Sequence, residues 1–333
     1  MKRLMLAAAC AALMTLKPAV GAAETTEVRL GHNYPASTHL HRGAEALAKY
    51  FNEHNKRFHV KIFPAGQLYE EKGLVQGVQT GALDISFVVS AAWGGTVPSV
   101  YVLNFPVLMG TNATGLAAIN GSFGKDMEQN FQKAGVELIG WIIYGPDDVI
   151  VNNVRPLTQP EHFKGLRLRT TGSLHGVMVE ALGGGPTVMS ASEVYMALQR
   201  GTFDGSVTGV TSVVERKWYE VAKYATILPL SYSALPITVS RRLWSKLNDD
   251  EKKALREAGK FATQESAKEA EEIAQQNREK IRKALQTVDL TRAQAMEIQK
   301  VVYSAAEAYI KKVAGDAGIQ ALKDAETDIK KLQ

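Results

Sequence analysis

The chain has 333 residues, 45% of them hydrophobic and 22% charged, with a formal charge of +5 and a single cysteine. That length suits two lobes better than one small core. Without Lys2, Arg3 and Lys17, the three cations of the first 23 residues, the excess is only +2, too little to mark a nucleic-acid partner.

Residues 1–23 have the pattern of a secretory signal: Lys2-Arg3, then an apolar run from Leu4 to Leu16, then small Gly21-Ala22-Ala23 where cleavage is expected. The apolar run is too short to span a bilayer. Cys10 lies inside that run rather than after it, which argues against a lipoprotein anchor. If it leaves with the signal, disulfides and thiolate metal sites leave too.

Val28–Leu30 predicts a strand, and Ser37 or Thr38 caps a helix with Leu40, Ala44, Leu47 and Phe51 on one face. His59–Phe63 is the next strand, Glu70–Thr80 a helix closed by Gly81, and Leu83–Val89 a continuous apolar strand of the kind a buried parallel sheet requires. This βαβαβ order predicts an α/β lobe. Val136–Tyr144 is another buried strand, and the boundary between lobes falls near Gly145–Asp148.

Residues 164–205 form a second strand–helix–strand–helix unit. In Leu166-Arg167-Leu168-Arg169 the alternation sends the arginines to the face opposite the leucines. An apolar helix, Leu174–Leu182, ends at Gly183-Gly184-Gly185. The strand Thr187-Val188-Met189 leads to Ser190-Ala191-Ser192-Glu193, a capping-box spacing before the helix Val194–Gln199. From Asn248, a good N-cap, no proline interrupts the chain to about residue 285. A helix over 249–285 would be about 55 Å long, enough to lie across both lobes as a strut. A coiled coil is the rival, but no heptad is sustained. Further helical segments follow Thr291.

Signatures of common enzymes are missing: there is no G-x-S-x-G, H-E-x-x-H, Walker loop or G-x-G-x-x-G. His39 and His41, two apart on a helix, point in different directions and make a poor metal pair. Asp147 and Asp148 face opposite ways if extended. Trp93 and Tyr144 follow strand ends and read either as core aromatics or as apolar faces for a ligand. Arg169 lies in a strand, where an arginine is rarely buried without a partner. Its two readings are an ion pair with an acid such as Asp147 or Asp148, and a carboxylate ligand matching the guanidinium fork. In open α/β sheets, ligands bind at the carboxyl ends of strands.

Four segments, FPAGQLYEEKGLVQGVQTGALDIS, HFKGLRLRTTGS, LGGGPTVMSASEVYMALQRGTFDG and WYEVAKY, occur in this order. Together they resemble the DctP-type solute-binding proteins of tripartite ATP-independent periplasmic (TRAP) transporters, over nearly the whole mature chain. The resemblance implies an α/β two-lobed periplasmic binding protein. It would have a central cleft, crossing strands at the hinge and a long C-terminal helix spanning both lobes. Lobe 1 would hold residues 24–147 with about 237–272, and lobe 2 residues 148–236 with about 273–333. It also implies that Arg169 binds a ligand carboxylate, and that Asn33, Val89, Ser90 and Trp93 stand at cleft positions. Acidic-sugar binders of this kind carry a glutamate where Val89 stands, an arginine where Ala92 stands and a second arginine near Asp147 or Asp148. Many members read Q-E-x-P where this chain has Ser206-Val207-Thr208-Gly209, so Thr208 replaces an amide contact.

The expected function is capture of a small organic acid anion, with a monocarboxylate favoured, and delivery to the membrane permease subunits. The expected ligand-binding residues are Arg169, Asn33, Ser90, Trp93, Asp148 and Thr208. A monomer in the periplasm is expected, with no cofactor, metal or catalysis. A periplasmic ligand sensor and a periplasmic enzyme are the alternatives.

Overall fold

The computed structural model describes residues 25–106, 108–145, 148–228 and 231–332, with Asp148 described through its backbone alone. β1 (Thr26–Gly31) turns Val28 and Leu30 inward. α1 (His39–His54) starts at Thr38, whose Oγ1 accepts the His41 amide at 3.1 Å, and buries Leu40, Ala44, Leu47 and Phe51. β2 (Phe58–Phe63) pairs parallel to β1, with Val60 opposite Val28. α2 (Glu71–Thr80) stops at Gly81, whose φ of 76° is left-handed.

The apolar run Leu83–Val89 yields only the three-residue β3 (Ile85–Phe87). The Leu83 amide bonds the Gly77 carbonyl at 2.9 Å instead, and Val89 leads into a 3₁₀ turn over Ser90–Trp93. A continuous apolar run reports burial and does not by itself report extension. A 3₁₀ stretch over Pro98–Asn104 and two helices, α3 (Asn112–Asn120) and α4 (Ser122–Lys133), then lead to the ten-residue β4 (Val136–Gly145).

After β5 (Asp148–Asn152), the elements β6 (Arg167–Thr170), α5 (Ser173–Ala181), β7 (Gly185–Val188) and α6 (Val194–Gln199) follow the predicted order, and β8 (Gly205–Gly209) comes next. The capping box at Ser190–Glu193 does not form. A 3₁₀ turn over Ala191–Glu193 precedes α6, and the Ser190 and Ser192 hydroxyls both donate to Glu70 Oε2, at 3.1 and 3.2 Å. A partner 120 residues away has displaced the local one. The chain continues through α7 (Val210–Glu215), β9 (Tyr224–Ile227), β10 (Ser233–Ser240) and α8 (Arg241–Trp244). It ends with α9 (Asp249–Ala284), β11 (Gln286–Asp289) and α10 (Arg292–Lys330), the last broken at Gly315 where φ is 61°.

Two mixed sheets result, ordered β2-β1-β3-β10-β4 and β11-β9-β5-β8-β6-β7. The chain passes from the first to the second between β4 and β5. It returns between β9 and β10, and Ser233 at the start of β10 pairs with Gly145 at the end of β4. The two crossings therefore lie side by side, and Gly145 takes a φ of 112° there, which an L side chain would resist.

α9 opens with a capping box between Asn248 and Glu251 and runs 36 residues, about 54 Å. Its first half packs against α1 and β4, and its second half against α7 and β11. β4 is an edge strand, whose outward amides need partners. α9 supplies them: Trp141 N donates to Thr263 Oγ1 at 2.8 Å and Ile143 N to Ser266 Oγ at 3.0 Å. Such close approach requires Gly259, where a Cβ would lie 2.2 Å from the Ile139 carbonyl oxygen. α10 also bridges, touching α3 and α4 on one side and α5 on the other. No helix among the described residues is long and apolar enough to cross a membrane.

Candidate functional site

A cavity of about 40 Å³ opens where the two sheets face each other across the crossings. The first sheet and its helices contribute Tyr34, Glu71, Val89, Asn104 and Tyr144, and the second contributes Arg169, His175, Thr208 and Ser212. Most of these follow the carboxyl end of a strand or open a helix, where side chains from different elements converge.

Arg169 is 1% exposed. Its Nε donates to the Met189 carbonyl at 2.8 Å, and its guanidinium lies 5.9 Å from the Trp218 ring centroid. Among the described residues Nη1 is buried without a hydrogen-bond partner, and the guanidinium makes no ion pair. Burial pulls its pKa down to about 10, while Glu71 opposes that shift and Arg216 adds to it. The group stays cationic at neutral pH, with donors left open beside a cavity.

Burial, with Arg169 second, lowers the His175 pKa to about 4, so this imidazole is neutral near pH 7. Its nitrogens lie 3.0 Å from Thr171 Oγ1 and 3.3 Å from Ser231 Oγ. It is a polar wall and supplies no second cation. Arg216 does carry a second positive charge nearby, but its Nη2 donates to the Asn33 carbonyl at 2.7 Å and the side chain does not line the cavity. Glu71 Oε1 accepts from Asn33 Nδ2 at 3.0 Å and from the Ala191 amide at 3.5 Å. Tyr144 OH donates to Ser212 Oγ at 3.1 Å and accepts the Ser212 amide at 2.8 Å. Gly209 makes room for this ring, since a Cβ there would sit 2.2 Å from it.

Of the residues singled out in the sequence, Val89, Tyr144, Arg169 and Thr208 line the cavity. Asn33 does not; it stands behind Glu71 and bonds it. Ser90 is fully buried and reaches Asn104 Oδ1 at 3.3 Å, so it supports a lining residue without being one. Trp93 is corrected: it is fully buried, packed edge-on against Phe131 at 4.9 Å, and presents no face to the cavity. Asp148 pairs through its backbone with Gly209; its side chain, like Asp147, lies outside the described residues. The expected ion pair between Arg169 and one of these aspartates therefore has no described geometry. Sequence reasoning missed Glu71, Tyr34 and His175. Glu71 reads as an ordinary acid in a helix's first turn, and His175 is hidden in an apolar helix. Among the described residues no group of three or more His, Cys, Asp or Glu side chains could hold a metal ion.

Comparison with known proteins gives a consistent result. The model of the family described as bacterial extracellular solute-binding protein, family 7, matches residues 30–315. The C4-dicarboxylate-binding periplasmic protein DctP of Rhodobacter capsulatus is 28% identical over 274 residues, covering 81% of this chain and 80% of that protein. A TRAP periplasmic solute-binding protein from Desulfovibrio salexigens, solved with bound orotic acid, superposes with a TM-score of 0.88 at 24% identity, covering 93% of this chain and 100% of the other. Another, from Bordetella bronchispeptica with density fitted as pantoate, has a TM-score of 0.83 at 27% identity and covers 90% and 99%.

Proposed function

This chain belongs to bacterial extracellular solute-binding protein family 7, the DctP-type binding proteins of TRAP transporters, and on that premise we propose that it binds a monocarboxylate. The family consists of binding proteins for organic acids and not of enzymes. The observation that carries the finer reading is the guanidinium of Arg169, which is buried and charged and, among the described residues, has an Nη1 without a hydrogen-bond partner and makes no ion pair. A buried charge with open donors is costly, and a ligand carboxylate would relieve that cost through a bidentate, charge-assisted contact.

The charge of the lining supports a single carboxylate. Arg169 is the one cation among the described lining residues, Glu71 is an anion there, and His175 is neutral. A second carboxylate would meet Glu71 without a cation of its own. Pantoate, the acid fitted in the Bordetella relative, has one carboxylate, whereas the Rhodobacter relative is named for C4-dicarboxylates.

In this reading the two sheets belong to lobes that close on the ligand, with Gly145 and Ser233 at the hinge and residues 24–147 and 148–236 forming the main bodies. Hydrogen bonds from Ser190 and Ser192 to Glu70, and the contact of Ser37 with Glu215, would hold the closed state. The leader would direct the chain to the periplasm as a monomer, and the closed form would deliver its ligand to the TRAP membrane subunits. Competition calorimetry tests the ligand class, pairing monocarboxylates with their dicarboxylate analogues at fixed pH. Monocarboxylates are expected to bind more tightly by about tenfold or more. Tighter dicarboxylates throughout would refute the reading.

A further inference from the structure

Glu71 faces Arg169 across the cavity without touching it. It is the charge that most strongly opposes the desolvation of Arg169, yet the two make no ion pair among the described contacts. They sit on different bodies: Glu71 opens α2, beside the first sheet, and Arg169 stands on β6 of the second. Both hydrogen bonds that Glu71 accepts fall on Oε1, from Asn33 and from Ala191. Among the described residues none reaches Oε2. The Asn33 bond fixes the carboxylate's orientation, and Arg216 holds Asn33 in turn by donating to its carbonyl. The site therefore offers a fixed anion with an open acceptor oxygen, opposite a fixed cation with open donors.

Resting on the carboxylate reading above, we propose that Glu71 selects acids that carry a hydrogen-bond donor, a hydroxyl or an ammonium group, close to the carboxylate. The ligand would span the gap, its carboxylate on Arg169 and its donor on Glu71 Oε2. The selection follows from asymmetry. A charged acceptor left unpaired in a closed cleft loses its water and gains nothing, so an acid with an apolar carbon there binds poorly. An acid with a carbonyl there sets two acceptors against each other and binds worse still. A donor-bearing acid satisfies both fixed groups at once. His175 cannot replace Glu71 as the anion, because it is neutral. Tyr34 cannot either, because burial and the Glu71 charge raise its pKa well above the ordinary tyrosine range.

The test is calorimetry of the mature protein with lactate, alanine, propionate and pyruvate, for the natural chain and for Glu71→Gln and Glu71→Ala. The natural chain is expected to prefer lactate or alanine over propionate and pyruvate by about tenfold or more. If lactate binds more tightly the donor is a hydroxyl, and if alanine does it is an ammonium; either result supports the inference. Glu71→Ala should reduce the preference to within about threefold. Glu71→Gln, which can donate as well as accept, should regain pyruvate relative to lactate. Thermal unfolding of each unliganded variant verifies that it is folded. Equal binding of lactate, propionate and pyruvate, or a preference that persists in both folded variants, would overturn the role of Glu71 while leaving carboxylate capture intact. No binding by any of a broad set of acids would overturn both.

Discussion

Arg169 is held by three different interactions, each of which leaves its outer nitrogens open. Nε is tied to the Met189 carbonyl, the guanidinium face lies toward Trp218, and β6 fixes the backbone. The side chain is therefore already oriented before a ligand arrives, so little conformational entropy remains to be lost on binding. A lysine at this position keeps the charge but loses the planar fork and the Nε bond. Arg169→Lys is expected to weaken binding of the preferred acid at least about tenfold, measured by calorimetry on the folded variant. Unchanged affinity would mean that the carboxylate sits elsewhere. Ser90 and Asn33 act one step removed, by positioning Asn104 and Glu71. Residues of this kind follow from the geometry and have no signature in a single sequence.

The contact between α9 and β4 depends on backbone meeting backbone. A Cβ on Gly140 would lie 2.5 Å from the Gly259 carbonyl oxygen, and a Cβ on Gly259 would lie 2.2 Å from that of Ile139. In an exposed helix, Gly→Ala stabilises by up to about 1 kcal/mol. Here the sign should reverse. Gly259→Ala is expected to destabilise by about 1–3 kcal/mol, because the helix must lift away from the strand and strain the Thr263 and Ser266 bonds. Urea unfolding measures it, and a gain in stability would show that α9 is not seated on β4 as described. The same reasoning explains the failed capping box: the Ser190–Glu193 spacing is a local helix signal, but Glu70 is near in space and accepts from both the Ser190 and Ser192 hydroxyls.

At the scale of the molecule, three histidines are buried where protonation is disfavoured. Burial is the leading cause for each, lowering His32 to about 3 and His39 and His175 to about 4. The unfolded chain titrates near 6.5, so below that pH it binds protons that the folded chain refuses. Stability should be flat above about pH 6.5 and fall as pH drops toward 4, by several kcal/mol in total. Urea titrations at pH 7, 5.5 and 4.5 test this. A flat profile would mean that the folded state admits the protons. His32 and His39 border the first sheet and His175 the cavity, so the loss would reach both bodies.

Periodicity and punctuation alone determined the strands β1, β2 and β4, the helices α1, α2 and α5, and the span of α9. Each of these carries its signal within a few residues: an apolar stripe, a cap or a terminal glycine. An arginine among alternating leucines at a strand end marked Arg169 as unusual in the same local way, while its reading as a ligand clamp came from the family resemblance. The tertiary structure decided which groups would share the cavity. Trp93 went to the core because Phe131, in a helix the sequence pattern did not reveal, packs against it. Tyr144 reached the cavity because Gly209, distant in sequence, leaves space for its ring. Glu71 and Arg169 lie nearly a hundred residues apart on separate bodies, and their facing each other depends on two adjacent crossings between sheets. Local sequence encodes burial and helix ends through nearest neighbours. A site assembled from both sides of a cleft depends on distances between elements, and packing alone sets those.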